Sequence, residues 1–455
     1  MTASSVSTST KPADAAPELS SGPIARVVAG SMATGLLVAL LLTLLVLPGA
    51  SEHVVTGSAM LAFGAGWALL VLLSARLTSE PQRWARIPAI AMSATGVILL
   101  LTDPGDRVFT ALGWVWPPVV LALAIWMVRS ARRQLRSRTR AWLLYPVFAF
   151  LALAALGGGY QSVHTALDRS TLAMPGVLVT VNGHDMHLHC TGAGSPAVIL
   201  NNGLLERSSD WAWVQASVAR GTRVCSYDRA GQAWSAPSTD TPDGPRVASD
   251  LHALLTQAHV AGPYVMVGHS TGGLYAMVFA QRYPHEVAGL VLVDSATPRQ
   301  MTALPAYRTF YSVARRAFAL LPTVARLGAG QLATPAGNTL PAAAGHAERL
   351  FALSPGDLRT QRDEFAALPV TFDQAGTLTT LGDTPLAVLT AGKDMQAGWL
   401  AEQHRMAHLS TNTAQRTVNF SHSELLADRH AAAWSSQAVT SVVQAIRSNG
   451  AVVLP

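Results

Sequence analysis

The sequence predicts an α/β domain with a mostly parallel, doubly wound sheet, preceded by an all-α transmembrane region. Three observations carry this. Charge-free apolar runs fill the stretch between Val27 and Tyr160. From about Gly176 onward, short β-type runs alternate with helical spacing, the pattern of a parallel sheet covered on both faces. The 455-residue chain is 50% hydrophobic and only 13% charged, too apolar for one water-soluble domain unless the excess is segregated.

Residues 1–23 are rich in Ser, Thr, Ala and Pro, carry no hydrophobic period, and read as a disordered tail. The apolar runs are Val27–Leu47, Val54–Ala75, Ile87–Thr102, Val108–Val128 and Ala141–Tyr160. Each approaches the ~20 residues a helix needs to cross a bilayer, giving a region of about five spans over 24–160. Trp67, Trp114, Trp116, Trp126, Trp142, Tyr145 and Tyr160 include several at run ends, where interfacial aromatics belong. No Asp, Glu, Lys, Arg or His interrupts the runs, which favours anchoring over ion or proton transport.

Arginine placement sets an expected orientation. Lys11 and Arg26 precede the first run, Arg76, Arg83 and Arg86 follow the second, and Arg129, Arg132, Arg133, Arg136, Arg138 and Arg140 follow the fourth. The other loops hold only Arg107, beside Asp103 and Asp106. Basic loops stay cytoplasmic, so the N-terminus is expected inside and everything after Tyr160 outside. The net charge of +6 arises wholly here, because 12 basic residues face 6 acidic ones before Gln161 and the remaining 20 and 20 cancel. The C-terminal part has no basic patch, so nucleic acid is not an expected partner.

A linker at 161–175 leads to a domain at 176–455. Val177–Val181, Asn182-Gly183 and Met186–Cys190 read as a hairpin. Ala197–Leu200, Thr222–Tyr227, Tyr264–Val267, Val287–Val293 and Leu386–Thr390 read as strands, and Val247–Gln257 and Ala431–Ile446 as helices. Residues from about 298 to 381 are Ala- and Leu-rich without a clear strand and read as a helical insertion.

The chemistry centres on Gly268-His269-Ser270-Thr271-Gly272, a G-x-S-x-G segment between a strand and a helix. A serine on so sharp a turn needs glycines two residues either side to avoid clashes. It also needs a base, and the base an orienting carboxylate. His422 follows a late β-type segment and supplies the base. Asp394, just past Leu386–Thr390, is the first choice of acid, and Asp294, just past Val287–Val293, is the alternative. The backbone N–H groups of Thr271 and Leu204 are the expected oxyanion donors, with Leu205 second to Leu204. His187 and His189 alternate on one strand, but no third ligand stands near them, so no metal site is expected. His184 reads as a turn residue, and His269 as packing beside the site.

These residues carry a resemblance. Leu188–Gly192, Asn202-Gly203-Leu204 with Trp211 or Trp213, Thr222–Gly231, Pro263–Gly273, Leu290–Ser295, Leu389–Asp394 and His422 together resemble the α/β-hydrolase fold superfamily, in particular its membrane-associated esterase- and lipase-like members. The family's chain order of Ser, acid, then His matches Ser270, Asp394 and His422. Two positions depart from its usual pattern: Asn202 stands where His is usual, and Ala233 where a second glycine is usual.

The resemblance implies an α/β-hydrolase fold with a helical lid at about 298–381. It implies a serine hydrolase that cleaves carboxylic esters through an acyl-enzyme, without cofactor or metal, and the arginine placement makes it extracytoplasmic. Dehalogenases and epoxide hydrolases of this fold use an aspartate where this chain has Ser270. The apolar insertion suggests a small-molecule or lipid ester substrate met at membrane lipids. Amidase, peptidase or acyltransferase chemistry could run on the same triad, and a non-enzymatic binding module is the alternative of another class. The resemblance also implies that the strands bearing Cys190 and Cys225 are neighbours, hence a Cys190–Cys225 disulfide in an oxidising compartment.

Overall fold

A computed structural model of the protein describes residues 22–134, 142–332, 339–393 and 395–455. The predicted tail up to residue 21, Arg136, Arg138, Arg140 and Asp394 lie outside the described residues. Five helices are long and apolar enough to cross a membrane. They are α1 (Gly22–Leu41, prolonged by a π-turn to Val46), α2 (Glu52–Leu77), α3 (Arg86–Thr102), α4 (Asp106–Gln134) and α5 (Tyr145–Thr171). Large apolar side chains point outward from them, Leu101 at 80% and Ile90 at 69% exposure. That surface is unfavourable in water and ordinary in lipid, so this region is suited to a membrane.

The helices run up and down. The starts of α1, α3 and α5 (Ile24, Ala89, Phe148) and the ends of α2 and α4 (Leu70, Met127) share one apolar cluster. Trp84 sits at its centre, edge-on to Trp67, Trp126 and Phe148. Helices α2 and α3 approach closely enough that a Cβ on Gly96 would lie 2.7 Å from the Gly57 carbonyl. Small residues serve the same purpose in other membrane helix pairs.

The predicted linker is mostly helix. Gln161 to Thr171 holds no glycine or proline, so α5 continues through it and the chain leaves helix only at Leu172.

Beyond it lies an eight-stranded sheet in the order β1-β2-β4-β3-β5-β6-β7-β8. Strands β1 (Val177–Val181) and β2 (His184–Thr191) form the hairpin, with both turn residues at positive φ, Asn182 at 48° and Gly183 at 86°. Strand β2 pairs antiparallel with β4 (Val224–Tyr227). From β4 onward, β3 (Ala197–Asn201), β5 (Tyr264–His269), β6 (Val287–Val293), β7 (Leu386–Ala391) and β8 (Thr413–Val418) are all parallel.

Both faces are covered, which is why these strands read as unbroken apolar runs. Val265, Val267, Val291 and Val293 pack with α6 (Ala212–Val218) and the last long helix, Arg429–Ser448. Met266, Leu290 and Leu292 pack with α7 (Gly244–Gln257) and α8 (Gly272–Arg282).

The insertion is helical, with no strand among its described residues. Its long elements are α9 (Tyr307–Arg326), α10 (Ala342–Phe351) and α11 (Pro355–Ala375). Tyr307, Tyr311, Phe365 and Phe372 join the sheet core from one side. On the other side α9 rests on the apolar N-terminal helices. Arg316 Nε donates to the Leu44 carbonyl at 2.9 Å, and the Thr56 and Thr323 hydroxyls are 2.9 Å apart. The insertion is thus wedged between the sheet and the ends of α1, α2 and α4. A cleft of about 1230 Å³ opens along this seam, between Asp106, Arg107, Trp234, Thr360 and Asp363, and neither Ser270 nor His422 lines it.

Candidate active site

The site is built at the carboxyl ends of β5 and β6. Ser270 follows β5 at φ 54°, a left-handed conformation that costs an ordinary residue about 1–2 kcal/mol. The two glycines make it possible. A Cβ on Gly268 would lie 2.4 Å from the Gly273 nitrogen, and one on Gly272 would lie 2.1 Å from the Asn201 carbonyl. The turn is tied to the sheet, since the Ser270 N–H donates to Val293 O (3.3 Å) and Ala296 N–H to Ser270 O (2.8 Å).

His422 comes back to this turn on the loop after β8. Its ring lies 4.3 Å from that of His269, and its carbonyl lies 3.0 Å from His269 Nε2. Its Nδ1 is 2.6 Å from Asp294 Oδ2. The carboxylate against His422 is therefore Asp294, the alternative acid. The first-choice Asp394 lies outside the described residues. Asp294 itself sits at φ 38° and accepts at Oδ1 from the Trp399 indole (2.8 Å) and the Ala391 N–H (3.1 Å). Burial pushes its carboxyl up. The His422 bond and charge, with these two donors, outweigh that and hold it below the usual carboxylate range. Among the described residues His422 Nε2 makes no hydrogen bond, to the Ser270 hydroxyl or to any other group, and the His422 side chain is 46% exposed.

The loop after β3 closes against the serine. A Cβ on Gly203 would lie 2.8 Å from the Ser270 Cβ, so only glycine fits there. The N–H groups of Leu204 and Thr271 form no hydrogen bond among the described residues. The N–H of Leu205, the second choice, is used: it donates to Gln361 Oε1 at 2.7 Å, and Leu205 itself is at φ 64°. Asn202 fills the place where histidine is usual. It accepts from the Trp211 indole (3.0 Å) and donates to the Tyr227 carbonyl (2.8 Å), pinning the loop from within. Ala233, the other departure, is held at φ 39°, the conformation that explains why glycine is usual there.

A second histidine–carboxylate pair lies behind the first, and the sequence did not reveal its acid. Glu206 Oε1 is 2.5 Å from His269 Nδ1, and Glu206 Oε2 accepts from the Gly203 N–H at 2.5 Å. Burial lowers the His269 pKa, but Glu206 more than reverses this and it is raised. Burial raises that of Glu206, but His269 more than reverses this and it is lowered. The pair is thus held ionised. Glu206, His269 and His422 could by residue type hold a metal ion. Both nitrogens of His269 are instead engaged, by Glu206 and by the His422 carbonyl, which does not fit a shared metal. The only sequence signal for Glu206 was its place three residues after Gly203, close enough to fold back on that residue's N–H.

The remaining singled-out residues are scaffold. His187 is buried between Asp228 (2.7 Å) and the Pro175 carbonyl (2.5 Å), and His184 lies 4.0 Å from Asp250. His189 lies within reach of the Gln215 amide. Cys190 and Cys225 face each other in register on β2 and β4, and their sulfurs are bonded.

Comparison with known proteins agrees with this architecture. A family model described as alpha/beta hydrolase fold matches residues 196–422. An uncharacterised protein of Schizosaccharomyces pombe is 34% identical over 157 residues, 28% of this chain and 29% of that protein. A bifunctional esterase/perhydrolase of Acinetobacter calcoaceticus is 32% identical over 126 residues, 27% of this chain and 45% of that protein. The chain thus spans less than half the length of these curated relatives. The crystal structure of a haloalkane dehalogenase from Bradyrhizobium elkani superposes with a TM-score of 0.51 at 18% identity, covering 60% of this chain and 99% of that one, a likeness of fold. With the elbow, the sheet order and the family match in agreement, the chain belongs to the α/β-hydrolase fold superfamily.

Proposed function

We propose that the protein is a membrane-anchored serine hydrolase that cleaves carboxylic esters through an acyl-enzyme at Ser270. The observation that carries this is the Ser270 elbow at φ 54° beside a His422 whose Nδ1 is bonded to the buried Asp294. His422 Nε2 takes the serine proton as Oγ attacks the ester carbonyl, then returns it to the leaving alkoxide. Asp294 keeps the proton of the neutral ring on Nδ1 and stabilises the imidazolium that forms. The Leu204 and Thr271 N–H groups receive the negative charge that develops on the carbonyl oxygen. A water then repeats the sequence and frees the acid.

The aspartate nucleophile of dehalogenases and epoxide hydrolases has no counterpart here, since the elbow residue is Ser270. The catalytic domain is assigned to the outer side of the membrane. The arginines of the α2–α3 loop and the end of α4 favour this, as does the contact of the insertion with Leu44 at the end of the first apolar run and with Ala50 and Pro104 in the arginine-poor loops. An apolar or lipid-like ester fits that setting.

A fluorophosphonate probe tests the reading. Wild type labels and Ser270→Ala does not; equal labelling of the two, or none of wild type, overturns it. An activity profile across ester and amide substrates of graded chain length then separates esterase from amidase. An alkaline phosphatase fusion at the C-terminus is active if the domain is outside.

A further inference from the structure

Helix α11 carries two sets of polar residues on opposite faces. At 100° per residue, Asp357, Gln361 and Glu364 fall within one arc of about 60°, and Arg359 and Arg362 fall on the other side.

The first face holds the loop that closes on Ser270. Gln361 Oε1 accepts from the Leu205 N–H at 2.7 Å. Asp357 takes Arg207 Nη2 at 2.6 Å. Glu364 is bidentate to Arg229, at 2.8 and 2.7 Å, and Arg229 in turn donates to the carbonyls of Asn202 (2.6 Å) and Gly203 (3.1 Å). These side chains are all buried. Carbonyls held in this way fix the peptide planes of the loop, and with them the direction of the Leu204 N–H.

The second face grips the membrane region. Arg359 Nη1 reaches Glu52 Oε2 at 3.5 Å and the Pro104 carbonyl at 3.3 Å. Arg362 Nη1 donates to the Ala50 carbonyl at 3.1 Å. Glu52, the first residue of α2, is fully buried, and it also takes Arg326 Nε of α9 at 2.5 Å. Arg326 bridges on to Asp106, the first residue of α4, at 2.8 Å. The guanidinium groups of Arg326 and Arg359 both lie over the Phe109 ring.

We propose that α11 is a strut that sets the oxyanion loop from the membrane helices, making Arg359, Arg362 and Glu52 positioning residues for catalysis. One rigid helix carries both grips, so a shift of the membrane loops moves the loop carrying Leu204. The transition state is the species that feels this, because donor placement matters most where charge develops. This inference rests on the hydrolase reading.

The test uses the full chain in phospholipid nanodiscs with p-nitrophenyl butyrate as probe. Arg359→Gln and Arg362→Gln are each expected to lower kcat about 10-fold with KM within about twofold. Fluorophosphonate labelling should slow in the same ratio, and Arg359→Lys should recover some of the loss. Gln361→Ala interrupts the same strut from its other face. The double variant Arg359→Gln/Gln361→Ala should therefore be no slower than the worse single variant.

Arg359→Gln leaves Glu52 paired with Arg326, so no buried carboxylate is stranded. If that variant nonetheless fails to fold, Arg362→Gln, which gives up the Ala50 carbonyl contact and the ion pair with the half-exposed Asp363 but leaves Glu52 fully paired, decides the matter. Unchanged kcat in the arginine variants, or effects that multiply in the double variant, overturns the strut while leaving the hydrolase intact. A wild type that neither labels nor hydrolyses overturns the hydrolase reading, and the strut with it.

Discussion

Two histidine–carboxylate pairs stand side by side behind the same turn, and they are built almost alike. In each, a carboxylate meets an imidazole Nδ1, at 2.6 Å for Asp294 with His422 and 2.5 Å for Glu206 with His269. The rings are 4.3 Å apart. They differ at the other nitrogen. His269 is fully buried and its Nε2 meets the His422 carbonyl, whereas the His422 side chain is 46% exposed and its Nε2 is open. On the proposed reading, the contrast teaches that a paired histidine can serve as a base only when its second nitrogen is left unsatisfied. The buried pair would then fix the loop and backbone around His422.

Removing each carboxylate in turn sharpens this contrast. Asp294→Asn should lower kcat for p-nitrophenyl butyrate by about 10³–10⁴-fold, the effect of presenting the wrong tautomer. Asp394→Asn should stay within about threefold of wild type, and the reverse outcome would move the acid to Asp394. Glu206→Gln should cost about 3 kcal/mol of stability in denaturant titration by stranding His269, since breaking a buried pair is expensive. Its kcat should fall only about 10-fold; a fall as large as that of Asp294→Asn would break the distinction between the two pairs.

The smallest effect is in the pH dependence of stability. Asp294 and Glu206 have folded pKa values below their usual 3.8 and 4.5. Their contribution is full above about 4.5 and is lost as pH falls through the depressed values. His269 has a folded pKa above its usual 6.5, so its contribution is full below 6.5 and is lost as pH rises through the raised value. Melting temperature should therefore plateau between the two limits, and Glu206→Gln should flatten the alkaline limb.

Much of this site was legible because local geometry demands particular residues. Gly268, Ser270 and Gly272 are constrained by atoms within a few residues, and the parallel strands by runs that must be apolar on both faces. The choice of acid was not legible. Asp294 and Asp394 each come just after a parallel strand in the sequence, and the groups that hold Asp294 in place, the Trp399 indole and the Ala391 N–H, are donors supplied by distant segments. Glu206 escaped because its partner His269 lies 63 residues away. The extent of α5 was hidden for another reason: the end of an apolar run marks where lipid stops, and nothing requires the helix to stop there too.

The bridge between Cys190 and Cys225 has a mechanical consequence. The chain leaves α5 at Leu172 and enters the sheet through β1, at its outer edge. Tension between α5 and the sheet would therefore arrive at a hairpin held by ladder bonds, which can open singly, like the teeth of a zip. The bond across β2 and β4 is a rivet at the second row. It also closes a loop of 35 residues, worth about 3–4 kcal/mol against the unfolded chain. With the rivet in place, a pull can fray β1 but cannot run on into the parallel strands; in reducing buffer the same pull would meet only hydrogen bonds.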